Sequence, residues 1–153
     1  MNHDGVLISI RHMSVQDVPA VAKLEAVVFS EPWSENAFSE ACNHGDYCYL
    51  TALDGERVVG YAGCTIACED ADITNIAVDE EYRRLGIAAQ LLRVLKAEAV
   101  RRGATTMFLE VRVSNSGAIA LYEKEGFATV GRRKGFYRKP DEDAFVMSAG
   151  LCD

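Results

Sequence analysis

Tyr82-Arg83-Arg84-Leu85-Gly86-Ile87-Ala88-Ala89 joins an apolar strand to an amphipathic helix through a small, basic turn, and its reading decides the fold. Upstream, Ile73-Thr74-Asn75-Ile76-Ala77-Val78 has the character of a strand; downstream, Leu91, Leu92, Leu95 and Ala99 keep helical spacing up to Gly103, a helix stop. The helix therefore starts near Gly86. The first N–H groups of a helix lack intrahelical acceptors and carry about half a positive charge, so a turn of small residues there accommodates an anion. Arg83 and Arg84 add full charges beside it. No Gly-Lys-Ser/Thr follows to hold the terminal phosphates and Mg²⁺ of a nucleoside triphosphate, and the dinucleotide Gly-x-Gly-x-x-Gly is incomplete. A pyrophosphate held without metal fits this turn; a plain strand-to-helix connection with a solvated basic rim is the alternative.

A chain of 153 residues buries an ordinary core without disulfides or structural metal, and one domain over residues 1–153 is expected. In it, residues 1–10 comprise a short extension and the first strand, and residues 151–153 a tail. The net charge of −7 argues against direct nucleic-acid binding and favours a basic partner through long-range steering. Cys42, Cys48, Cys64, Cys68 and Cys152 are odd in number and form no Cys-x-x-Cys, and no secretory signal is evident, so a reduced, cytoplasmic protein is expected. Cys64-x-x-x-Cys68 lacks a histidine to complete a metal site, and no metal is expected. His3, His12 and His44 read as surface or turn residues without partners. No apolar run approaches the ~20 residues needed to span a bilayer, so no membrane partner is expected.

Along the chain, residues 6–10 read as a strand, and Ser14 with Asp17 opens a helix whose apolar face is Val18, Val21, Leu24 and Val28. Ser34 caps a short helix containing Phe38. Residues 47–53, the Asp54-Gly55 turn and residues 57–68 form a hairpin, which residues 71–78 extend. After the helix that ends near Gly103 come a strand at 106–113 and a helix at 115–125 closed by Gly126. Strands at 129–136 and 144–148 complete the set. The fold class is α/β (α+β): a central mixed, mostly antiparallel sheet with helices on both faces and a crossover from Val78 to Met107.

In Thr106-Met107-Phe108-Leu109-Glu110-Val111-Arg112-Val113, alternation puts Glu110 and Arg112 on one face and Leu109, Val111 and Val113 on the other. A carboxylate in such a strand is either a partnered surface charge or a functional acid or base. Tyr122, one helical turn after Ala118 and Ile119, fits a core aromatic equally well.

Taken in order, Asn75-Ile76-Ala77-Val78, the Tyr82 to Ala88 run, Leu109-Glu110-Val111-Arg112, Ser114-Asn115 and Ala120-Leu121-Tyr122-Glu123 resemble the GNAT superfamily of acetyl-CoA-dependent N-acetyltransferases. With Pro32-Trp33-Ser34 near the start and Arg132-Arg133, Tyr137 and Glu142-Asp143-Ala144 near the end, the resemblance narrows to the RimI-type ribosomal-protein-alanine N-acetyltransferases and covers nearly the whole chain.

The resemblance implies acetyl-CoA as cosubstrate. The backbone of Ile76, Ala77 and Val78 would meet its acetyl-pantetheine arm. Arg83, Arg84, Leu85, Gly86, Ile87, Ala88 and Ala89 would cradle its pyrophosphate, and Asn115 would contact it at the strand edge. Glu110 would be the general base and Tyr122 the general acid. Trp33 and Tyr137 would wall the acceptor groove, and the acceptor would be the N-terminus of a basic ribosomal protein beginning with Ala or Ser. Ala88 stands where many relatives have glycine, and the segment from Tyr137 to Glu142 is short for the family. Arg112, two residues from Glu110, is expected to hold that carboxylate down. Transfer to a small amine or a lysine side chain, or a non-catalytic acyl-CoA-binding module, would use the same cofactor half.

Overall fold

Apolar residues recur every second position in the strands and every third or fourth in the helices, a pattern that buries a sheet between helical layers. The structure, a computed structural model, describes residues 2–3 and 6–151. Cys152, the rest of the tail after Leu151, and residues 1, 4 and 5 of the expected extension lie outside the described residues. Eight strands form one sheet: β1 (Asn2–His3), β2 (Val6–His12), β3 (Tyr47–Asp54), β4 (Arg57–Ala67), β5 (Asp70–Val78), β6 (Thr106–Arg112), β7 (Ala128–Tyr137) and β8 (Glu142–Gly150). Their spatial order is β1-β2-β3-β4-β5-β6-β8-β7, and among the described residues only β5 and β6 run parallel. The mixed, mostly antiparallel sheet matches the sequence expectation.

The α-helices among the described residues are α1 (Val18–Val28), α2 (Glu35–Cys42), α3 (Ile87–Arg101) and α4 (Ser116–Lys124). On one face of the sheet, Leu91, Leu92 and Leu95 of α3 pack with Leu50, Ala62, Ile73, Met107 and Leu109, and Tyr122 of α4 joins the same cluster. On the other face, Val18 and Val21 of α1 and Phe38 of α2 meet Tyr49, Tyr61 and Ala77. Helices thus cover both faces. Ser34 caps α2 by accepting the Ala37 N–H at 3.1 Å.

The inner face of α1 differs from the expected stripe. Leu24 and Val28 are only half-buried, whereas Glu25 lies fully inside, two turns after Val18 and one after Val21. A carboxylate holds this place because polar partners on three other segments surround it, as described below.

Candidate active site

Strands β5 and β6 are paired only from Asp70 opposite Thr106 to Asp72 opposite Phe108. Beyond that point both continue, to Val78 and Arg112, out of register with each other. A bulge marks the parting: Cys64 of β4 faces Ile73 and Gly63 faces Asn75, so Thr74 is an extra residue that bends β5. Residues 73–78 and 109–112 therefore present facing edges with no strand between them. Such edges accept an extended ligand through main-chain hydrogen bonds.

At the end of β5 the chain turns into α3. The N–H groups of residues 84–89 find no acceptor among the described residues, the first helical bond running from Gln90 to the Gly86 carbonyl at 3.0 Å. Gly86, the helix N-cap, adopts φ 79° and Arg84 φ 68°. Glycine takes this left-handed conformation freely; in Arg84 it stores about 1–3 kcal/mol of strain, of the kind that gathers at ligand-binding turns. Ile87, fully buried, fixes the helix start beneath the sheet, while Gly86, Ala88 and Ala89 keep the rim free of bulk. The helix dipole adds to these N–H groups, so the turn suits a pyrophosphate. Arg84 is exposed at the rim, but Arg83 turns back, its Nε donating to the Val78 carbonyl at 3.2 Å. It ties the strand end to the turn. Along β5, Ile76 and Val78 pack on the α3 side and Ala77 on the α1 side, so their backbone lines the opening.

Across the opening, Asn115 caps α4 with its Oδ1, which accepts the Ala118 N–H at 3.2 Å. Its amide nitrogen has no protein partner among the described residues. Tyr122 is buried beside Phe127, with ring centroids 5.8 Å apart, and its hydroxyl makes no hydrogen bond to a described residue. Burial, and then the nearby Tyr137, push the Tyr122 phenol up, which keeps it protonated.

Glu110 stands on the other face of β6, its side chain about a quarter exposed. Burial lifts its carboxyl above the usual carboxylate range, Arg133 opposes the rise, and Asp72 reinforces it. The cation beside it is thus Arg133, whose Nε lies 3.8 Å from Oε2, and not the expected Arg112. Arg112 is occupied elsewhere: it binds Glu142 at 3.1 Å and donates to the carbonyls of Pro140 and Arg138 at 2.9 and 3.0 Å. Its guanidinium also lies 4.5 Å from the centre of the Tyr137 ring. Arg112 therefore shapes the short connection from β7 to β8 and seats Tyr137. Burial pushes the Tyr137 phenol up to about 12, with Glu110 adding to the shift. Glu110 and Arg112 share one face of β6, and Tyr137, held over Arg112, lies on that side, whereas Tyr122 packs with Leu109 and Val111 on the other.

Trp33 is placed differently. Its ring packs on Phe38 and Tyr49, at 5.2 and 5.9 Å between centroids, and the Trp33 backbone N–H donates to Glu25 Oε2 at 2.9 Å. Glu25, 2% exposed, also accepts from the Tyr61 hydroxyl and from Asn75 Nδ2 at 3.1 and 3.2 Å. Tyr49 completes the chain by donating to Asn75 Oδ1 at 2.5 Å. This requires Gly63: a Cβ there would lie 2.2 Å from the Tyr49 ring. The network ties α1, the connection bearing Trp33, and strands β3 to β5 into one unit. Ser30 then reaches the β7–β8 connection, its hydroxyl 3.4 Å from the Arg138 carbonyl. Glu25 was not among the residues nominated from sequence. Its signal was an acid at the inward position of an apolar helix stripe.

One further expectation changes, the reading of His12 as a residue without partners. His12 faces Glu98 across 3.5 Å, and one ligand atom each from His12, Cys48 and Glu98 lie within 4.8 Å of one another. Arg101 holds the second Glu98 oxygen at 2.8 Å, and its positive charge disfavours a cation there. Cys64 stands opposite Cys48 on β3, while Cys68 is exposed in the turn beyond β4.

Comparison with known proteins agrees with the fold. The sequence pattern of the Acetyltransferase (GNAT) family matches residues 18–127. The chain is 36% identical over 143 residues to the [ribosomal protein bS18]-alanine N-acetyltransferase of Escherichia coli K12, covering 92% of this chain and 95% of that protein. It is 35% identical over 153 residues to the N-alpha-acetyltransferase RimI of Mycobacterium tuberculosis H37Rv, covering 96% and 95%. The crystal structure of the ribosomal-protein-S18-alanine N-acetyltransferase from Escherichia coli superposes with a TM-score of 0.88 over 96% of each chain, at 32% identity. The chain therefore belongs to the acetyltransferase (GNAT) family and is an N-acetyltransferase.

Proposed function

We propose that the protein transfers the acetyl group of acetyl-CoA to the N-terminal α-amino group of a ribosomal protein beginning with Ala or Ser. The observation that carries this reading is the parting of β5 and β6, which leaves Glu110 of β6 at an opening bordered by a turn of unpartnered N–H groups. The names of the sequence relatives support the same acceptor class.

The residues of the turn fit a pyrophosphate, and residues 76–78 fit the extended arm that follows it. Bound there, acetyl-CoA supplies a thioester carbonyl. Glu110 takes a proton from the acceptor's ammonium group, directly or through solvent, and frees the amine to attack. As the C–N bond forms and the C–S bond breaks, Tyr122 gives its proton to the departing sulfur, whose thiol has a pKa near ~8.5 against ~10 for an unperturbed phenol, and the proton still carried by the new amide nitrogen leaves through solvent to restore the phenol. An α-amine, at a pKa near ~7.8, needs roughly 3.5 kcal/mol less to deprotonate than a lysine amine near ~10.4. A carboxylate such as Glu110, raised by partial burial and by Asp72 against the pull of Arg133, suits the easier task.

Trp33 and Tyr137 form opposite walls of the acceptor groove, joined through Ser30 and Arg138. The acidic balance of the chain steers a basic acceptor toward it. The enzyme works in the cytoplasm, a compartment in which Cys48 and Cys64, adjacent and unbonded, remain thiols. None of the described helices is long and apolar enough to cross a membrane.

The test is an acetyl-transfer screen over Ala- and Ser-initiated peptides, lysine peptides with blocked N-termini, and polyamines, with mass spectrometry locating the acetyl group. Transfer to the α-amine, stopped by N-terminal blocking, is expected. Acetylation mainly at lysine would overturn the reading.

A further inference from the structure

Asp72 is the last residue of β5 still paired with β6. Paired residues of neighbouring strands share a face, and Glu110 is the next residue after Phe108 on that face of β6, so Asp72 and Glu110 flank the point where the strands part. Asp72 is exposed and forms no hydrogen bond or ion pair with a described residue. Structural carboxylates of this chain behave otherwise: Glu25, Asp17, Glu142 and Asp143 each hold backbone or side-chain donors.

We propose that Asp72 is a further positioning residue of the acceptor site, acting with Arg133 on the Glu110 carboxylate from two different strands and with opposite charges. The inference rests on reading Glu110 as the group that takes the acceptor's proton. The charged and titratable groups facing Glu110 are Asp72 from β5 and Arg133 and Tyr137 from β7. From β8 its register partner is the uncharged Val146, while Glu142 is bound to Arg112, the other charge on β6 itself. Asp72 raises the proton affinity of Glu110 and Arg133 lowers it. Burial and the neighbouring Asp70 raise Asp72 in turn, and Arg133 opposes. In the transfer step an N–H bond of the ammonium breaks and an O–H bond forms on Glu110; Asp72 favours that proton's arrival, and Arg133 its release to solvent.

Opposite charges demand opposite responses. In Asp72→Asn, the acid limb of the kcat/KM profile should move to lower pH, with a fall in kcat/KM at neutral pH of about three- to tenfold. In Arg133→Gln the limb should move to higher pH, and the double variant should lie near wild type. A structural role for either residue would not move the limb in opposite directions. Both side chains are exposed, so both variants should fold. A second readout needs no acceptor: ¹³C NMR titration of the Glu110 carboxyl should show the same two displacements. An unmoved limb and titration in Asp72→Asn, or displacements of the same sign in both variants, would overturn the proposal. If the wild-type enzyme acetylates no N-terminal peptide, the functional reading fails, and the titration still decides this one.

Discussion

The turn at residues 84–89 and the face that carries Glu110 lie on two sides of one opening, and they are built from different material. The donor side is main chain: consecutive N–H groups, two left-handed residues and small side chains, all within one short stretch. The side proposed to receive the acceptor is side chain, assembled from α1, the connection bearing Trp33, β5, β6 and the β7–β8 connection. A main-chain site is indifferent to most substitutions and fails when bulk or charge enters it. A side-chain site responds to single atoms, through proton affinity, orientation and packing.

Gly86→Glu should break the donor side most completely, because it forces a side chain into φ 79° and sets a negative charge where the helix dipole favours the ligand's own. Calorimetry should show CoA affinity reduced by about 100-fold or more. Arg83→Gln, by contrast, removes only the tie to the Val78 carbonyl and should leave affinity within about threefold of wild type. A large loss in Arg83→Gln would mean that side chains, not backbone, grip the pyrophosphate.

On the reacting side, Tyr122→Phe removes one hydroxyl that makes no hydrogen bond to a described residue. Turnover should drop by about 100-fold with CoA affinity unchanged. Wild-type turnover would return Tyr122 to the role of a core aromatic against Phe127.

Glu25→Ala probes the network around Glu25. It deprives the Tyr61 hydroxyl, the Asn75 amide and the Trp33 N–H of their acceptor and should cost about 2–4 kcal/mol in denaturant unfolding, with a raised KM for peptide. Glu25→Gln should also destabilise, since all the partners are donors and an amide meets them with another donor. Gly63→Ala should mimic both changes by displacing the Tyr49 ring. Unchanged peptide KM in these variants would separate that network from acceptor binding.

The contrast also explains what the sequence discloses. The turn, α3 and the strands around them follow from apolar periodicity and one glycine, because everything that matters there is contiguous. Glu110, Tyr122 and Tyr137 were accessible through family resemblance. Arg112 looked like the neighbour of Glu110 because it is two residues away, yet Arg133 fills that place from another strand, and Arg112 holds the β7–β8 connection instead. Asp72 became visible only through the register of β5 and β6, which no local pattern specifies. Glu25 interrupts an apolar stripe, and its reason lies in Tyr61 and Asn75, 36 and 50 residues further along.

The smallest expected effect is at Glu142. Hydrogen bonds from Ser114 and the adjacent Arg112 hold its carboxyl below the usual range. Its contribution to stability is therefore present above the ordinary glutamate pKa of about 4.3 and is lost as pH falls through the lowered value. Acid unfolding of Glu142→Gln should show a slightly shallower loss of stability in that window. An unchanged acid transition would show that Arg112 is held by the Arg138 and Pro140 carbonyls alone.

The independence of the two sides is tested most directly by titrating CoA into the Glu110→Gln, Tyr122→Phe double variant in a calorimeter. The account predicts affinity within about threefold of wild type in a protein whose acetyl transfer is abolished. A loss of tenfold or more in CoA affinity, with the fold intact, would contradict a donor grip made by backbone at residues 84–89.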